Sequence, residues 1–213
     1  MVKRVMVFEV AVFLSLFCAA GLHAGDGPWE KVKEAEGITV YARPVEGSDF
    51  KEFRAECLIE APMEAVNNVL MDVPRLTEWM PSVIVAEVIE YIDGKGAVMY
   101  EEMKSPWPVR NRDFLFEVRI ARGPESIVRV IRAIGHEKYP AYAPREGRVR
   151  VTRLTGRWDL LKRDRATYVV YGIRSDPGGS LPAWLANSAA RDLPFLTLRG
   201  LKRLANEPRY RGR

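Results

Sequence analysis

The sequence predicts an α+β fold in which a curved antiparallel sheet wraps around a long C-terminal helix. Between residues 83 and 174, six apolar runs alternate with polar residues at the period of a β-strand, and short links rich in turn residues join them. Such a succession forms an antiparallel meander. Residues 180–204 instead carry apolar residues at helical spacing. A long helix lying across the concave face of the sheet would cover its apolar side chains.

The elements that precede the meander are predicted as a hairpin followed by two short helices. After an amphipathic start, PWEKVKEA, the runs GITVYARP and FKEFRAECLIEA have strand character, and the turn residues of VEGSD separate them. Apolar residues at helical spacing then predict one helix behind Pro62, a residue that suits the first turn. Pro74 interrupts this helix, and the spacing of Leu76, Trp79 and Met80 predicts a second short one.

The meander consists of six runs in sequence order. They are VIVAEVIEYI, AVMYEEMK, RDFLFEVRIA, SIVRVIRAI, RVRVTRLTGRWDLLKR and TYVVYGIRS. The links DGKG, RGPE and PAYAPREG supply turn residues between them. In the third run, alternation places Phe114, Phe116, Val118 and Ile120 on one continuous apolar face, which is predicted to point to the interior.

The final helix is predicted to begin behind Ser180, which would act as its N-cap. Pro194 lies in the helix interior, where a proline removes a backbone donor and is expected to bend the helix along the curved sheet. The apolar residues at helical spacing are Leu181, Trp184, Leu185, Ala189, Leu193, Leu196 and Leu204.

The N-terminal 24 residues have the order of a secretory signal peptide. Lys3 and Arg4 precede the apolar run VMVFEVAVFLSLFCAAGL, and small residues follow, which predicts cleavage after Ala24 and export of the rest of the chain. Glu9 and the limited length of the run argue against a permanent membrane span, although an uncleaved anchor is the alternative. The predicted organisation is a signal peptide at 1–24, one domain at 25–205 and a basic tail at 206–213.

Composition and charge narrow the class of protein. With 213 residues, 47% hydrophobic and 29% charged, the chain has the balance of one ordinary domain. The net charge of +5 is mild and spread along the chain, so no nucleic acid is predicted as a partner. The basic run RGLKRLANEPRYRGR is predicted to be a solvated, partly disordered terminus, with contact to anionic lipid headgroups as the alternative.

The cysteines and histidines give no support for metal or nucleophilic chemistry. After cleavage Cys57 is the one remaining cysteine, and its apolar neighbours predict a buried small hydrophobe. His136 is the one remaining histidine, so a zinc site is not predicted. The sequence also lacks a nucleophile elbow, a phosphate-binding loop and a dinucleotide fingerprint, and no cofactor is predicted.

Two motifs and the element order resemble a known family. WPVRNRDF at 107–114 and SDPGGSLPAWLAN at 175–187 are similar to the START lipid-transfer domains, named after the steroidogenic acute regulatory protein, and GRWDLLKRDRATYVVYGIRSDPGG between them fits the same pattern. The resemblance spans about residues 29–204. It implies the helix-grip fold of the Bet v 1-like superfamily. Together with the predicted signal peptide, it predicts a bacterial exported member in the periplasm.

The resemblance also implies an internal cavity with a gate. The 106–112 loop would form an Ω-type mouth with Trp107 and Pro108 as a stiff apolar lip. Ligand exchange would require this loop or the start of the final helix near Trp184 to move. Arg112 and Asp113 are expected to pair at the base of the loop, with Arg112 either a ligand contact or purely structural. The predicted cavity and gate residues are Tyr100, Glu102, Trp107, Pro108, Arg112, Phe114, Phe116, Trp158, Tyr171, Trp184, Leu185, Asn187 and Ala189.

Lipid binding and transfer without catalysis is the predicted function, by a monomer that contacts membranes transiently. Ordinary core packing equally explains the aromatic residues on the strands. Sterol-binding members use a buried acid–arginine pair, for which Glu101 or Glu102 with Arg112 or Arg119 do not match cleanly in spacing. The alternatives are a cyclase- or hydrolase-like enzyme, with its acid–base candidates Glu102, Asp159 and His136, and a periplasmic module that binds an apolar peptide.

Overall fold

A computed structural model describes residues 26–211, and the predicted signal peptide lies outside this range. One mostly antiparallel sheet and a long helix dominate the fold. The first strands are β1 (Glu30–Ala35), β2 (Ile38–Val45), β3 (Ser48–Ile59), β4 (Val83–Ile92) and β5 (Gly96–Met103). The others are β6 (Asn111–Arg122), β7 (Ser126–Ala133), β8 (Arg148–Val151), β9 (Arg153–Arg163) and β10 (Ala166–Asp176). The helices are α1 (Met63–Met71), α2 (Leu76–Trp79), α3 (Ala183–Leu204) and α4 (Pro208–Arg211).

The sheet has the strand order β1-β2-β3-β10-β9-β7-β6-β5-β4. The predicted β2–β3 hairpin and the meander are therefore confirmed, and β10 closes the sheet by pairing antiparallel with β3. One predicted strand is wrong in its extent. The run RVRVTRLTGRWDLLKR divides at Thr152 into β8, which pairs parallel with β6, and β9, which pairs with β7 and β10. The amphipathic start becomes the edge strand β1.

The two short helices and the long C-terminal helix are confirmed, with one boundary corrected. Helix α3 begins at Ala183, and Pro182 rather than Ser180 occupies the N-cap position. The φ of −58° that Pro182 adopts suits a helix start, and its carbonyl accepts the first backbone hydrogen bonds from Leu185 and Ala186. Pro194 lies buried inside the helix.

The C-terminal half of α3 fills the concave side of the sheet. Its buried residues Phe195, Leu198, Leu201 and Leu204 belong to the same core as the inward residues of β2 and β3. Cys57 on β3 is buried as predicted, and burial raises the pKa of its thiol to about 11. The thiol therefore stays protonated at neutral pH and acts as a small apolar group.

The basic tail is not solvated throughout, contrary to the prediction. Residues Pro208–Arg211 form α4, and Tyr210 is buried against α1. The Tyr210 hydroxyl donates to Asp72 Oδ2 at 3.0 Å, and the Arg211 guanidinium donates to the Glu60 carbonyl at 2.9 Å. The domain therefore continues beyond 205, because the buried Tyr210 ring packs α4 against α1.

Candidate functional site

A cavity of about 190 Å³ lies between the concave face of the sheet and helix α3. Strands β5 and β6 supply one wall with Met99, Phe114 and Phe116, whereas Ala190 and Leu193 of α3 cover the opposite side. The walls are mostly apolar, and few polar groups reach the interior. A chamber of this kind takes apolar molecules out of water and leaves orientation to its few polar groups.

Four of the predicted site residues line this cavity. Phe114 and Phe116 project inwards from β6, as their alternation indicates. Val118 on the same face also lines the cavity, whereas Ile120 does not reach it. Trp158 of β9 and Tyr171 of β10 also line it. Their rings stack with centroids 4.0 Å apart and an angle of 18° between planes. The stacked pair forms a rigid aromatic surface in the wall.

Tyr100 and Glu102, in contrast, lie on the outer face of β5, and their assignment to the cavity is wrong. The Tyr100 ring packs against Tyr142 at a centroid distance of 5.3 Å. The Glu102 carboxylate pairs with Arg148 Nε at 2.6 Å and accepts from Asn111 Nδ2 at 2.9 Å. Burial alone would raise the pKa of Glu102, but these two partners lower it.

Glu101 takes the inward position because neighbouring strand residues point to opposite faces. Protein surrounds its carboxyl group, and this desolvation raises the pKa of Glu101 to about 7. Among residues 26–211, no cation lies within 4.0 Å of this carboxylate and no side-chain hydrogen bond reaches it. The cavity wall therefore holds an uncompensated acid.

Arg129 of β7 is a second polar residue of the cavity wall, and sequence reasoning missed it. Its guanidinium donates to the Asn67 Oδ1 and to the Leu70 carbonyl, both at 3.3 Å. Burial lowers the pKa of Arg129 to about 10, so it remains charged at neutral pH. The arginine thus donates to a carbonyl in the last turn of α1 and places a positive charge there, where α1 has no basic residue of its own.

Arg112 and Asp113 do not pair with each other, and this prediction is wrong. As neighbours on β6 they point to opposite faces. Asp113 binds Arg150 Nη2 of the adjacent strand β8 at 2.6 Å, and both side chains are buried. Arg112 donates instead to the carbonyls of Arg110, Pro177 and Gly178 at 2.6–3.4 Å. It joins the loop to the segment that precedes α3.

The loop between β5 and β6 exposes the predicted lip. Trp107 is 93% exposed and Pro108 is exposed beside it. The Lys104 amide donates to the Ser82 carbonyl at 2.8 Å, which places the loop next to the α2–β4 turn. Since Arg112 connects the same loop to residues 177–178, three segments meet at one end of the cavity. We call residues 80–84, 103–112 and 175–185 the rim.

The first turns of α3 cover the rim rather than the cavity itself. Trp184 is 73% exposed and Leu185 is 37% exposed. Ala189 is exposed, whereas its neighbour Ala190 lines the cavity. The Asn187 side chain accepts from the Lys51 amide and donates to the Asp49 carbonyl, both at 2.9 Å. These two hydrogen bonds hold the beginning of α3 against β3.

The acid–base candidates of an enzyme lie away from the cavity. Glu102 faces outwards, and Asp159 forms a bidentate pair with Arg157 at 2.7–3.0 Å on the outer face of β9. His136 lies in the β7–β8 connection and does not line the cavity. Across residues 26–211, no three acidic, cysteine or histidine side chains converge as a metal site would require, and no helix is both long and apolar enough to cross a membrane.

The wrapped sheet, the long covering helix and the internal cavity define a helix-grip protein. A model of the START domain family matches residues 19–209, and the chain belongs to this family. An uncharacterized protein of Pseudomonas aeruginosa is 32% identical over 209 residues, which are 97% of this chain and 98% of that protein. The mouse phosphatidylcholine transfer protein is 27% identical over 168 residues, which are 77% of each chain.

A solved structure agrees with this assignment. The crystal structure of a STAR-related lipid transfer protein fragment from Xanthomonas axonopodis superposes with a TM-score of 0.75 and 36% sequence identity. The match covers 84% of this chain and 99% of that fragment. Relatives of this protein thus include named lipid-transfer proteins, and lipid binding is the property that its family supports.

Proposed function

We propose that this protein binds a lipid between the sheet and α3 and transfers it between membranes after export from the cytoplasm. The apolar cavity covered by α3 is the observation that carries the proposal. Each methylene group buried there contributes about 0.8 kcal/mol, so a single acyl chain supplies most of the binding free energy. The charged and apolar order of residues 1–24 supports export to the periplasm.

Loading of a lipid requires the cavity to open. A cavity of about 190 Å³ has the size of one that holds a benzene molecule, so a lipid with two acyl chains needs more room. We propose that the start of α3 moves. Two hydrogen bonds of Asn187 hold it against β3, and Arg112 contacts the carbonyls of residues 177–178 that precede it. Their release would swing α3 away from the sheet.

The rim is the surface that we propose to contact membranes. Trp107 and Trp184 expose large indole rings there, and Ile84 adds an apolar side chain that is 45% exposed. Lys104 and Arg110 lie exposed in the same segment as Trp107. Tryptophan rings favour the lipid headgroup region, and lysine and arginine favour anionic lipids.

We propose no catalytic step for this cavity. Of the three acid–base candidates Glu102, Asp159 and His136, none lines it, and the first two are held in ion pairs on the outer face. Glu101 does line the cavity, but the cavity wall formed by residues 26–211 contains no histidine, cysteine or aspartate to act with it. Binding explains these features with fewer assumptions than turnover.

Trp107→Ala tests the role of the rim. Since the Trp107 side chain is 93% exposed, its loss should leave the thermal unfolding temperature unchanged within about 1 °C. Transfer of a fluorescent phospholipid between vesicles should slow by about fivefold or more, because the indole no longer enters the headgroup region. The matched control is Tyr91→Ala, which removes another exposed aromatic at the opposite end of β4.

Equal transfer rates for Trp107→Ala, Tyr91→Ala and the unchanged protein would contradict the role of the rim in transfer. A fall in unfolding temperature for Trp107→Ala alone would instead assign the indole to folding stability. An absence of transfer by the unchanged protein, for every phospholipid offered, would contradict the proposed function itself.

A further inference from the structure

Glu101 differs from the other buried acids of the fold because it lacks a cation. Glu102 pairs with Arg148, Asp113 with Arg150 and Asp159 with Arg157, at 2.6–2.7 Å. Glu101 is half-buried and faces the cavity, yet within residues 26–211 it has neither an ion pair nor a side-chain hydrogen bond. A buried carboxylate without a partner is costly in free energy, so Glu101 either binds a proton or takes a compensating group from outside the chain.

Tyr171 brings a second polar group to the same place. Its ring lines the cavity, and in the described part of the chain its hydroxyl makes no hydrogen bond with another residue. Burial raises the pKa of the Tyr171 hydroxyl, and the negative charge of Glu101 raises it further. The stacked ring of Trp158 continues the aromatic surface beside it. A carboxylate, a hydroxyl and aromatic faces therefore line the same cavity.

Arg129 does not serve as the missing cation. Its guanidinium is committed to Asn67 and to the carbonyl end of α1. Within residues 26–211 Arg129 forms no ion pair with Glu101 at 4.0 Å or less, although both residues line the cavity. The two residues thus act as separate features of the wall, and Glu101 keeps an unmatched charge.

We propose that Glu101, Tyr171 and Trp158 form a headgroup site for a lipid that carries a protonated primary amine. The ammonium would donate to the Glu101 carboxylate and to the Tyr171 oxygen, and the aromatic rings would stabilise its charge. This inference rests on the proposed lipid-binding function and specifies the class of lipid. A neutral hydroxyl headgroup satisfies the hydrogen bonds but leaves the carboxylate charge uncompensated, unless Glu101 binds a proton.

The pH dependence of binding separates these two headgroups. The other titratable groups of the wall are Lys51, Arg129 and Tyr171, and side chains of these three types keep their protons between pH 5 and 8. Changes in that range therefore report on Glu101. An ammonium needs the carboxylate, so its binding weakens from pH 8 to pH 5. A headgroup hydroxyl that accepts a hydrogen bond from neutral Glu101 binds more tightly at pH 5.

The test measures uptake from vesicles by lipid-free protein. The probes are phosphatidylethanolamine, phosphatidylglycerol and diacylglycerol with the same acyl chains, each diluted into an inert carrier lipid at pH 8 and at pH 5. We expect phosphatidylethanolamine to be preferred over phosphatidylglycerol by about tenfold or more at pH 8, as one charge-assisted contact provides. Glu101→Gln should abolish this preference, and Glu102→Gln, which alters the outward neighbour, should retain it.

Tyr171→Phe provides a second, independent variant, because it removes the hydroxyl and keeps the stacked ring. It should reduce the preference about threefold or more. Uptake that is equal for all headgroups in the unchanged protein and in Glu101→Gln would overturn the amine site and leave the lipid-binding function standing. Preferred uptake of diacylglycerol at pH 5 would also overturn it, in favour of a neutral Glu101. If no lipid were taken up under either condition, the proposed function would fail together with the site.

Discussion

Arg150→Met is expected to lower the free energy of unfolding by about 3–5 kcal/mol, the largest effect of a single substitution outside the apolar core. The Arg150 and Asp113 side chains are 8% and 1% exposed, and their charged atoms are 2.6 Å apart. Arg150 also donates to the Tyr142 carbonyl at 2.8 Å. Its removal leaves Asp113 buried with an unmatched charge. It also removes the hydrogen bond that holds Tyr142 in the connection between β7 and β8. Chemical denaturation at pH 7 measures the loss.

Arg153→Met is the matched control for this substitution. Arg153 lies at the start of the next strand, but its side chain is 82% exposed and its ion pair with Asp176 is loose, at 3.6 Å. Its replacement should change the free energy of unfolding by less than about 1 kcal/mol. The double variant Asp113→Leu/Arg150→Met should recover much of the stability, because no isolated charge remains. Equal losses for Arg150→Met and Arg153→Met would contradict the buried pair.

Glu101→Gln is expected to stabilise the lipid-free protein at pH 8 on the order of 3 kcal/mol. The pKa of Glu101 rises from an ordinary 4.5 to about 7 in the folded state, and each unit corresponds to about 1.36 kcal/mol. Below pH 4.5 the group is protonated in both the folded and the unfolded state and contributes nothing. Between pH 4.5 and 7 the unfolded state loses its proton first, so ionisation of Glu101 destabilises the folded protein progressively as the pH rises.

The difference in unfolding free energy between Glu101→Gln and the unchanged protein, taken at pH 5 and at pH 8, isolates this group from all other carboxylates. Glu102→Gln should give the opposite sign, because the Arg148 and Asn111 partners hold the pKa of Glu102 below its ordinary value. The stabilising contribution of Glu102 is therefore present at pH 8 and is lost as the pH falls. A Glu101→Gln difference that does not change between the two pH values would contradict the uncompensated carboxylate.

The fold was predictable because its determinants are local. Period-two alternation over six runs and turn residues between them specify strands in sequence order, and a meander needs little further information. The break at Thr152 was not predictable in this way. Strand β8 is created by pairing with β6, since Asp113 and Arg150 meet there, and no local pattern in RVRVTRLTG separates it from β9.

The cavity residues were only partly predictable because strand register decides which side chains point inwards. Phe114 and Phe116 were assigned correctly from their own strand. Glu101 and Glu102 are adjacent acids, and a slip of one residue exchanges their faces. Glu101 pairs with Phe114 across β5 and β6, and this register places Glu101 on the inward face. Had the register been known, the inward Phe114 would have identified Glu101 as the cavity residue.

The proposed gate was recognised from the segments around Trp107 and Trp184 rather than from the hydrogen bonds at the start of α3. Trp107 and Trp184 lie at the rim, as the resemblance implied for their segments. Hydrogen bonds join Asn187 to the β3 backbone and Arg112 to the carbonyls of residues 177–178. In both cases the side chain and its backbone partner are far apart in sequence. Side-chain bonds to distant backbone leave no pattern in a single sequence.

Native mass spectrometry of the protein purified from its host, with identification of the extracted molecules, tests the central claim most directly. The unchanged protein should carry one lipid per chain. Ala190→Phe should lose it, because the added ring occupies the cavity, while Ala189→Phe, on the exposed neighbour in α3, should retain it. A protein that carries no lipid and takes none up from vesicles, or an Ala190→Phe variant that folds and still binds lipid fully, would contradict lipid binding in this cavity.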